Sequence, residues 1–262
     1  MKGKIIAIHS SRGGTGKTTI ATNLALNYAN NGLNVALLDL DFRAPSLFSV
    51  FSKRIKTPVH WLNDFMVDRC TLEQSLIDAS ECFDTRGSLL LGLANPTLEA
   101  IRKVTGRSRS WEVSAAKKLF SIRKTLFDKK HIDYCIIDTS PGIQYSSINA
   151  VVSSDVAVVV VTLNPVDIEG VKKMLSEVYD EFEKKPWVLI NKAYPQTRMW
   201  SSIKRAELAG QIEKVLEHPV IGVIPCYCDV LEPKNGTFLM MGNPNHPFFN
   251  DLQEVANKLE DM

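Results

Sequence analysis

The sequence lacks a long hydrophobic run, a marked net charge and a regular set of cysteines. Its most apolar stretch, residues 156–163, is far too short to span a bilayer. A net charge of +2 gives no overall field that would attract nucleic acid or a membrane surface. The five cysteines form no evenly spaced framework, and no charged-then-apolar leader precedes Gly3. We therefore expect reduced thiols, no secretion and a cytoplasmic protein.

Apolar runs and helical periodicity alternate along the chain. The runs predict strands at 4–9, 34–39, 87–92, 132–138, 155–163, 186–191 and 219–224. Helical patterns fall between most of these runs, at 16–30, 111–127, 166–183 and 200–216. Continuous Val, Ile and Leu runs that alternate with helices are typical of a parallel sheet covered on both faces. We therefore predict an α/β fold, a single domain (1–262) with three α/β/α layers and a mostly parallel central sheet.

Residues 10–19, Ser-Ser-Arg-Gly-Gly-Thr-Gly-Lys-Thr-Thr, form a glycine-rich loop between the first predicted strand and the first predicted helix. Glycines let consecutive backbone N–H groups turn inward, and the helix N-terminus adds partial positive charge. Lys17 is expected to reach the β- and γ-phosphates of a nucleotide, and the Thr18 hydroxyl to bind Mg²⁺. The alternative is an ordinary glycine turn before a helix. The predicted phosphate-binding residues are Gly13, Gly14, Thr15, Gly16, Lys17, Thr18 and Thr19.

This loop departs from the general P-loop pattern G-x-x-x-x-G-K-[ST], because Ser11 stands at the first glycine. It resembles the deviant P-loop of the MinD/ParA family of ATPases, K-G-G-x-G-K-[ST], with Arg12 in place of the signature lysine. The resemblance implies a P-loop NTPase fold, ATP and Mg²⁺ as ligands, and a homodimer that forms around ATP. In that dimer Arg12 would reach the partner's phosphates, for which its planar fork is suited.

Two aspartates follow the second predicted strand. Asp39 and Asp41 lie two residues apart on an extended chain, so their carboxylates point to the same side. The family resemblance implies that Asp41 orients the attacking water and that Asp39 supports the Mg²⁺ shell. The alternative is that these carboxylates cap the helix that begins near Pro45.

A third aspartate, Asp138, ends an apolar run that has the form of a Walker B strand, whose carboxylate holds Mg²⁺ through water. The turn at 139–142, Thr-Ser-Pro-Gly, resembles the start of switch II in the same family. The resemblance implies that Gly142 senses the γ-phosphate through its backbone N–H. The alternative for Asp138 is simply the first residue of a turn. The predicted metal residues are thus Thr18, Asp39 and Asp138, and the predicted catalytic residues are Asp41, Lys17 and Arg12.

Two later strand ends resemble the base-binding segments of the family. Asn191 ends the sixth predicted strand, and its amide offers the donor and acceptor that adenine requires. Pro225 follows the seventh predicted strand and resembles the loop that flanks the base. The guanine motif Asn/Asp-Lys-x-Asp is absent, because Ala193-Tyr194 follow Lys192. ATP is therefore favoured over GTP.

Two segments bear on partners. Residues 248–262 have apolar side chains at helical spacing but a mostly acidic or neutral polar face, so we predict a core-packed helix and no membrane binding. Residues 101–130 carry ten basic and two acidic side chains. This segment is either a solvated helix face with a basic loop, or a patch for DNA phosphates or an acidic partner.

The resemblance implies slow ATP hydrolysis that positions or regulates a partner complex of the cell-division or chromosome-partitioning type, with the protein partner unidentified. A nucleotide-dependent scaffold that acts without turnover is one alternative. Iron–sulfur carriers that share this fold are another, but the Cys226-x-Cys228 spacing differs from the C-x-x-C that they use. Zinc has no better support, because His218 and His246 lack ligand-like spacing to these cysteines.

Overall fold

The computed structural model describes residues 3–105, 109–194, 201–227, 230 and 245–262. The strands in this part of the chain are β1 (Lys4–His9), β2 (Val35–Leu40), β3 (Leu76–Asp78), β4 (Leu89–Gly92), β5 (Tyr134–Thr139), β6 (Val156–Val161), β7 (Trp187–Ala193) and β8 (Val220–Pro225). These eight strands form one sheet in the order β3-β4-β2-β5-β1-β6-β7-β8. All neighbours pair in parallel except β3 and β4. The predicted mostly parallel sheet is confirmed.

Helices connect the strands. They are α1 (Lys17–Asn30), α2 (Leu47–Phe51), α3 (Leu62–Met66), α4 (Ser80–Phe83), α5 (Leu98–Thr105), α6 (Arg109–Arg123), α7 (Tyr145–Ser153), α8 (Pro165–Met174), α9 (Ser202–Leu216) and α10 (Pro247–Glu260). Helices α6 and α8 continue as π-helical turns over Lys124–Lys129 and Leu175–Tyr179, and a 3₁₀ turn covers Glu73–Ser75. The sequence patterns predicted the long helices, and the alternative interpretation of Asp39 and Asp41 included a helix near Pro45, where α2 lies. They did not predict α3–α5, α7 or the edge strand β3.

The core lies on both faces of the sheet. Side chains alternate along β1, so that Ile6 and Ile8 belong to the apolar cluster that includes α1 and α10. Ile5 belongs to the cluster under α6, and Ala7 to the cluster under α8 and α9. Helices therefore cover both faces, and the predicted three-layer arrangement is confirmed.

Helix α10 packs as the sequence predicts. Its apolar residues are all buried, namely Phe248, Phe249, Leu252, Val255, Ala256 and Leu259. The Tyr28 hydroxyl of α1 donates to the Ala256 carbonyl at 3.1 Å, which joins the two helices. Over the described residues, we find no helix with the length and apolar character needed to cross a membrane.

The parallel strands place the predicted site residues at one edge of the sheet. In such sheets ligands bind beyond the carboxyl ends of the strands. The glycine-rich loop follows β1, the aspartate pair lies at the end of β2, and Asp138 lies near the end of β5. Asn191 lies near the end of β7, and Pro225 ends β8.

Candidate functional site

The glycine-rich loop forms an open cradle before α1. A side-chain carbon added at Gly13 or Gly14 would meet no atom within 4 Å, so the space beside the loop is open. Helix α1 begins at Lys17, directly after the loop, and its free N–H groups and dipole face the same region. Backbone donors and a helix N-terminus together favour an anion.

Side chains from the end of β7 fix the loop from behind. Asn191 Nδ2 donates to the Thr15 carbonyl at 2.8 Å, and Lys192 Nζ donates to the Gly14 carbonyl at 2.7 Å. Gly16 has a φ of 99°, a left-handed conformation that favours glycine. A side-chain carbon at Gly16 would also overlap with Asn191 Nδ2. The loop carbonyls are thereby held toward β7, which fixes the conformation of the cradle.

We expect Gly16→Ala to lower the free energy of unfolding by about 2 kcal/mol, because alanine is strained at this φ and would displace Asn191. Chemical denaturation of the nucleotide-free protein measures the change. Gly13→Ala is the matched control, since its added carbon meets nothing and should change stability by less than about 0.5 kcal/mol. Equal stabilities of the two variants would contradict the geometry described for Gly16.

Lys17 lies beneath the loop and is only 7% exposed. Its Nζ donates to Ser10 Oγ at 2.9 Å, and Ser10 Oγ donates in turn to the Arg12 carbonyl at 2.6 Å. Burial lowers the pKa of Lys17, while the nearby carboxylates of Asp138 and Asp41 act in the opposite direction. The ammonium group is therefore held at the start of the loop, next to the cradle.

Beside Lys17, the buried Asp138 pairs with the half-buried Thr18. Thr18 Oγ1 donates to Asp138 Oδ2 at 2.7 Å and lies 3.3 Å from Ser46 Oγ. The second carboxylate oxygen, Oδ1, is buried and has no hydrogen-bond partner among the described residues. Burial raises the pKa of Asp138 to about 7. An unpartnered carboxylate oxygen beside a threonine hydroxyl is a donor set that suits a hard cation such as Mg²⁺.

The two aspartates after β2 have different surroundings. Asp39 is fully buried and pairs in register with Asp138, and burial followed by the charges of Asp138 and Asp41 raises its pKa well above the usual range. Its two oxygens accept the backbone N–H groups of Asp41 at 3.0 Å and Leu47 at 3.4 Å. Since Leu47 is the first residue of α2, Asp39 makes the helix-terminal contact that the alternative interpretation predicts.

Asp41 is half-buried and faces the turn after β5. Its Oδ1 accepts from Ser140 Oγ at 2.9 Å and from the Ala44 N–H at 3.1 Å. The structure thus brings together the three carboxylates, Lys17 and Thr18 at the edge of the sheet. Arg12 is placed differently, because it is exposed at the tip of the loop.

Ser11, at the position of the missing P-loop glycine, makes a contact that the sequence did not predict. Its Oγ donates to Asp167 Oδ1 at 2.9 Å. Asp167 is 2% exposed, and its other oxygen accepts from the N–H and hydroxyl of Thr162 at 2.7 and 2.9 Å. A side-chain carbon at Gly170 would lie 3.1 Å from Ser11 Oγ, so α8 approaches the loop closely there. Ser11 therefore ties the loop to β6 and α8.

His9, the last residue of β1, makes two contacts that the sequence did not predict, with Tyr179 and with Gly142. The ring is fully buried, with Nδ1 at 2.9 Å from Tyr179 Oη and Nε2 at 3.0 Å from the Gly142 carbonyl. Gly142 belongs to the predicted switch II turn, and its N–H donates to the Ser10 carbonyl at 2.8 Å. A histidine at the end of an apolar strand indicates a buried ring that needs hydrogen-bond partners. The sequence does not identify those partners, because Tyr179 is 170 residues away.

Burial lowers the pKa of His9 from 6.5 to about 4. Between these values the unfolded chain binds a proton that the native protein does not, so this residue's contribution to stability falls as the pH decreases from 6.5 to 4. We expect a loss of about 3 kcal/mol over that range. Asp138, whose pKa is raised, acts in the opposite sense.

The test therefore compares the wild type with a variant. Denaturation curves give the free energy of unfolding of each protein between pH 6.5 and 4. His9→Gln should lose less stability than the wild type on acidification, because glutamine does not titrate. His60→Gln is the control, since His60 lies outside this site. Identical pH dependence of wild type and His9→Gln would contradict the prediction.

The predicted base-binding residues lie in one shallow pocket. Its lining includes Gly16, Thr19, Asn191, Pro225, Tyr227 and Phe248. The Tyr227 hydroxyl donates to Asp251 Oδ2 at 2.7 Å, and Asp251 also pairs with Arg205. Cys226 lines the same pocket, whereas Cys228 lies outside the described residues. Among the described residues no group of three or more His, Cys, Asp and Glu side chains is placed to hold a metal ion.

The sequence matches known proteins over most of its length. A family model described as an AAA domain matches residues 3–191. An uncharacterized ATP-binding protein of Methanocaldococcus jannaschii is 30% identical over 256 residues, 97% of this chain and 86% of that protein. The septum site-determining protein MinD of Synechocystis is 27% identical over 224 residues, 85% of this chain and 76% of that protein. A cytosolic Fe-S cluster assembly factor NUBP2 homolog of Culex quinquefasciatus is 30% identical over 176 residues, 64% of this chain and 61% of that protein.

Solved structures share the fold. The septum site-determining protein MinD of Pyrococcus horikoshii, complexed with Mg-ADP, superposes with a TM-score of 0.75 at 20% identity, covering 98% of this chain and 95% of that one. A ParA family ATPase of Chlorobium tepidum has a TM-score of 0.73 at 19% identity, covering 98% of this chain and 99% of that one. At these identities the likeness establishes a common architecture.

Proposed function

Because the chain belongs to the MinD/ParA family of P-loop ATPases, we propose that it binds MgATP, dimerises on it and hydrolyses it slowly to position or regulate a partner complex. The partner complex would be of the cell-division or chromosome-partitioning type. The observation that carries the proposal is the Thr18–Asp138 hydrogen bond next to the open glycine cradle, with a buried Asp138 oxygen that has no partner among the described residues.

The residues around the cradle fit a magnesium-bound triphosphate. The N–H groups of residues 13–19 and the Lys17 ammonium would hold the phosphate oxygens. The Thr18 hydroxyl and Asp138 would hold Mg²⁺, and Asp39 would support them from its buried position behind the pair. When bound, Mg²⁺ would neutralise the negative charge that develops on the phosphate oxygens. To reach these oxygens, Lys17 gives up its bond to Ser10 Oγ.

Asp41 would orient the attacking water. Its Oδ1 is held by Ser140 and by a backbone amide, while its Oδ2 has no described donor and can accept from water. The carboxylate lies at the same edge as Lys17, which it influences electrostatically. In-line hydrolysis requires this alignment and charge neutralisation rather than covalent help.

The base pocket favours adenine. Asn191 uses one N–H of its amide on the Thr15 carbonyl, which leaves the second N–H as a donor and the amide oxygen as an acceptor. Adenine can use both groups, its exocyclic amine on the oxygen and its N7 on the N–H, and the guanine motif Asn/Asp-Lys-x-Asp is absent after Asn191. ATP is therefore the proposed substrate.

The proposed dimer would form at the carboxyl edge of the sheet. Exposed apolar side chains follow β5, β6 and β7 there, namely Ile143, Tyr145, Val166 and Tyr194, which are 43%, 59%, 65% and 67% exposed. Exposed apolar groups beside a ligand site are typical of an association surface. The exposed Arg12 at the tip of the loop is positioned to reach a second copy. An arginine supplied in this way accelerates phosphoryl transfer by roughly 10³–10⁵ in other systems.

Phosphate release by the purified protein tests the proposal directly. We expect slow release with MgATP and much less with MgGTP, measured alone and with added DNA or liposomes. Tight MgATP binding without any phosphate release would refute the hydrolase and support the nucleotide-dependent scaffold. Iron in anaerobically prepared protein would support the iron–sulfur carrier alternative instead.

DNA binding through residues 101–130 is a weaker proposal. Four of the ten basic side chains make ion pairs within the protein: Lys103 with Glu99, Lys118 with Asp68, Arg123 with Asp155 and Lys129 with Glu73. Arg107 and the side chain of Arg109 lie outside the described residues. The exposed cations Arg102, Lys117, Lys124 and Lys130 remain as the candidate patch. Non-specific DNA binding by this patch should weaken steeply as salt increases, and a flat salt response would exclude it.

A further inference from the structure

We propose that His9 is a positioning residue: its imidazole holds the Gly142 carbonyl and thereby sets where the Gly142 N–H meets the γ-phosphate. This inference rests on the proposed function, because it concerns how the same site responds to ATP. His9 itself touches neither nucleotide nor metal in this arrangement. It acts through the segment that follows Asp138.

The hydrogen bonds of His9 fix its protonation. The Gly142 carbonyl can only accept, so Nε2 must carry the proton that is donated over 3.0 Å. Nδ1 is then the acceptor, and the Tyr179 hydroxyl donates to it over 2.9 Å. Both rings are fully buried, and burial keeps the imidazole neutral and the phenol protonated at physiological pH, since it lowers the pKa of His9 and raises that of Tyr179. Tyr179 therefore selects the one tautomer that can bind Gly142.

Gly142 is held at both of its peptide groups by consecutive residues. Its N–H donates to the Ser10 carbonyl at 2.8 Å, and its carbonyl accepts from His9, as well as from Ser147 Oγ at 2.8 Å and the Gln144 N–H at 3.0 Å in its own turn. Its φ of 75° favours glycine, and a side-chain carbon there would lie 3.3 Å from the Ser11 carbonyl oxygen. The turn is therefore pressed against the start of the P-loop, with the end of β1 as its support.

ATP can replace the acceptor of the Gly142 N–H but not the donor that His9 provides to the Gly142 carbonyl. The N–H of Gly142 lies against the loop that holds the phosphates, so a γ-phosphate oxygen can replace the Ser10 carbonyl as its acceptor. The bonds to the Gly142 carbonyl are on the other side of the residue, so they persist during this exchange. Ser147 and Gln144 belong to the segment that follows Gly142, whereas His9 belongs to β1, so His9 is the donor that ties the turn to the sheet while the N–H changes acceptor. ADP lacks the γ-phosphate and would not engage this N–H.

A buried histidine with both nitrogens bonded could also serve stability alone, so the experiment must separate the two roles. His9→Phe keeps an aromatic ring but removes the donor to Gly142. His9→Gln retains an N–H near the position of Nε2 and should rescue function. Tyr179→Phe removes only the hydroxyl that selects the tautomer. Tyr28→Phe is the matched control, since Tyr28 is an equally buried tyrosine whose hydroxyl bonds to Ala256, far from the phosphate site.

Three measurements on the full chain form the test: kcat and KM for MgATP, the Kd for MgADP, and NMR of the nucleotide-free protein. We expect His9→Phe to lower kcat by roughly 10-fold or more while the MgADP Kd changes by less than about 3-fold. His9→Gln should recover most of the activity, Tyr179→Phe should fall between them, and Tyr28→Phe should match the wild type. In the NMR spectra, imidazole nitrogen shifts should show the Nε2–H tautomer in the wild type. The Gly142 amide should exchange about 10-fold faster in His9→Phe.

Wild-type kcat in a folded His9→Phe protein would overturn the inference, as would an equal loss in Tyr28→Phe. If His9→Phe does not fold, Tyr179→Phe and His9→Gln carry the same comparison. A wild-type protein that releases no phosphate would count against the proposed function instead. The tautomer and the Gly142 exchange rate would then still decide whether His9 holds the turn.

Discussion

Lys17→Ala should lower the affinity for MgATP by about 100-fold or more, the largest effect that we expect on binding. Among the described residues the ammonium is the one buried cation beside the cradle, and charge-assisted bonds to phosphate oxygens contribute roughly 3 kcal/mol together. The same positive charge also offsets the negative charges of Asp138 and Asp41. Without it, these carboxylates would repel an anionic ligand. Isothermal titration calorimetry measures the affinity.

The control is Lys214→Ala, which removes an exposed lysine of α9 and should bind MgATP as the wild type does. Circular dichroism verifies that both variants are folded. Wild-type affinity in Lys17→Ala would contradict the assignment of the cradle as the phosphate site, because Lys17 is the side chain expected to bind the phosphate oxygens.

Asp41→Ala should lower kcat by about 100-fold or more while leaving the MgATP Kd within about 3-fold of the wild type. The carboxylate lies toward the turn at Ser140, and the phosphate-binding groups of the loop do not depend on it. Single-turnover phosphate release and calorimetry separate the two quantities. Asp128→Ala, which removes an exposed aspartate of the π-helical turn after α6, serves as control.

Asp41→Ala also tests whether the protein dimerises on ATP. If ATP holds the dimer together, Asp41→Ala should accumulate as a dimer with MgATP and remain monomeric with MgADP, as measured by light scattering after gel filtration. Adding Arg12→Ala should weaken that dimer, because the exposed guanidinium would no longer reach the partner's phosphates. A monomer in every nucleotide state would refute the proposed dimer.

Local patterns were enough to predict the central sheet and to identify candidate site residues that lie together at one edge of it. Every predicted strand corresponds to an observed one to within a few residues, because continuous apolar runs between helices leave few alternatives. The loop at 10–19 and the aspartates that follow β2 and β5 were visible for the same reason: each directly follows or ends a strand. Strand β3, with three residues, and the short helices α2–α5 carry too few residues to show a period.

The long-range contacts of the site were beyond sequence reasoning. Ser11 and Asp167 are 156 residues apart, and each alone resembles an ordinary polar loop residue. Asp39 shows a second reason why the sequence was insufficient: one pattern fits two roles. A carboxylate at the end of a strand can support a metal ion or bind the N-terminus of a helix. Its bonds to the Asp41 and Leu47 amides show the helix-terminal contact, while its place beside Asp138 is compatible with the proposed support of the Mg²⁺ shell.

The ties on the P-loop from Asn191, Lys192 and Ser11 have a thermodynamic consequence for ligand capture. A loop that is already ordered loses little conformational entropy when a triphosphate arrives, whereas a free loop would lose about 1–2 kcal/mol for each residue that becomes fixed. Folding has thus completed most of the ordering in advance. The heat of binding should come mainly from new contacts with phosphate, and the bound and free loops should differ little in backbone order parameters.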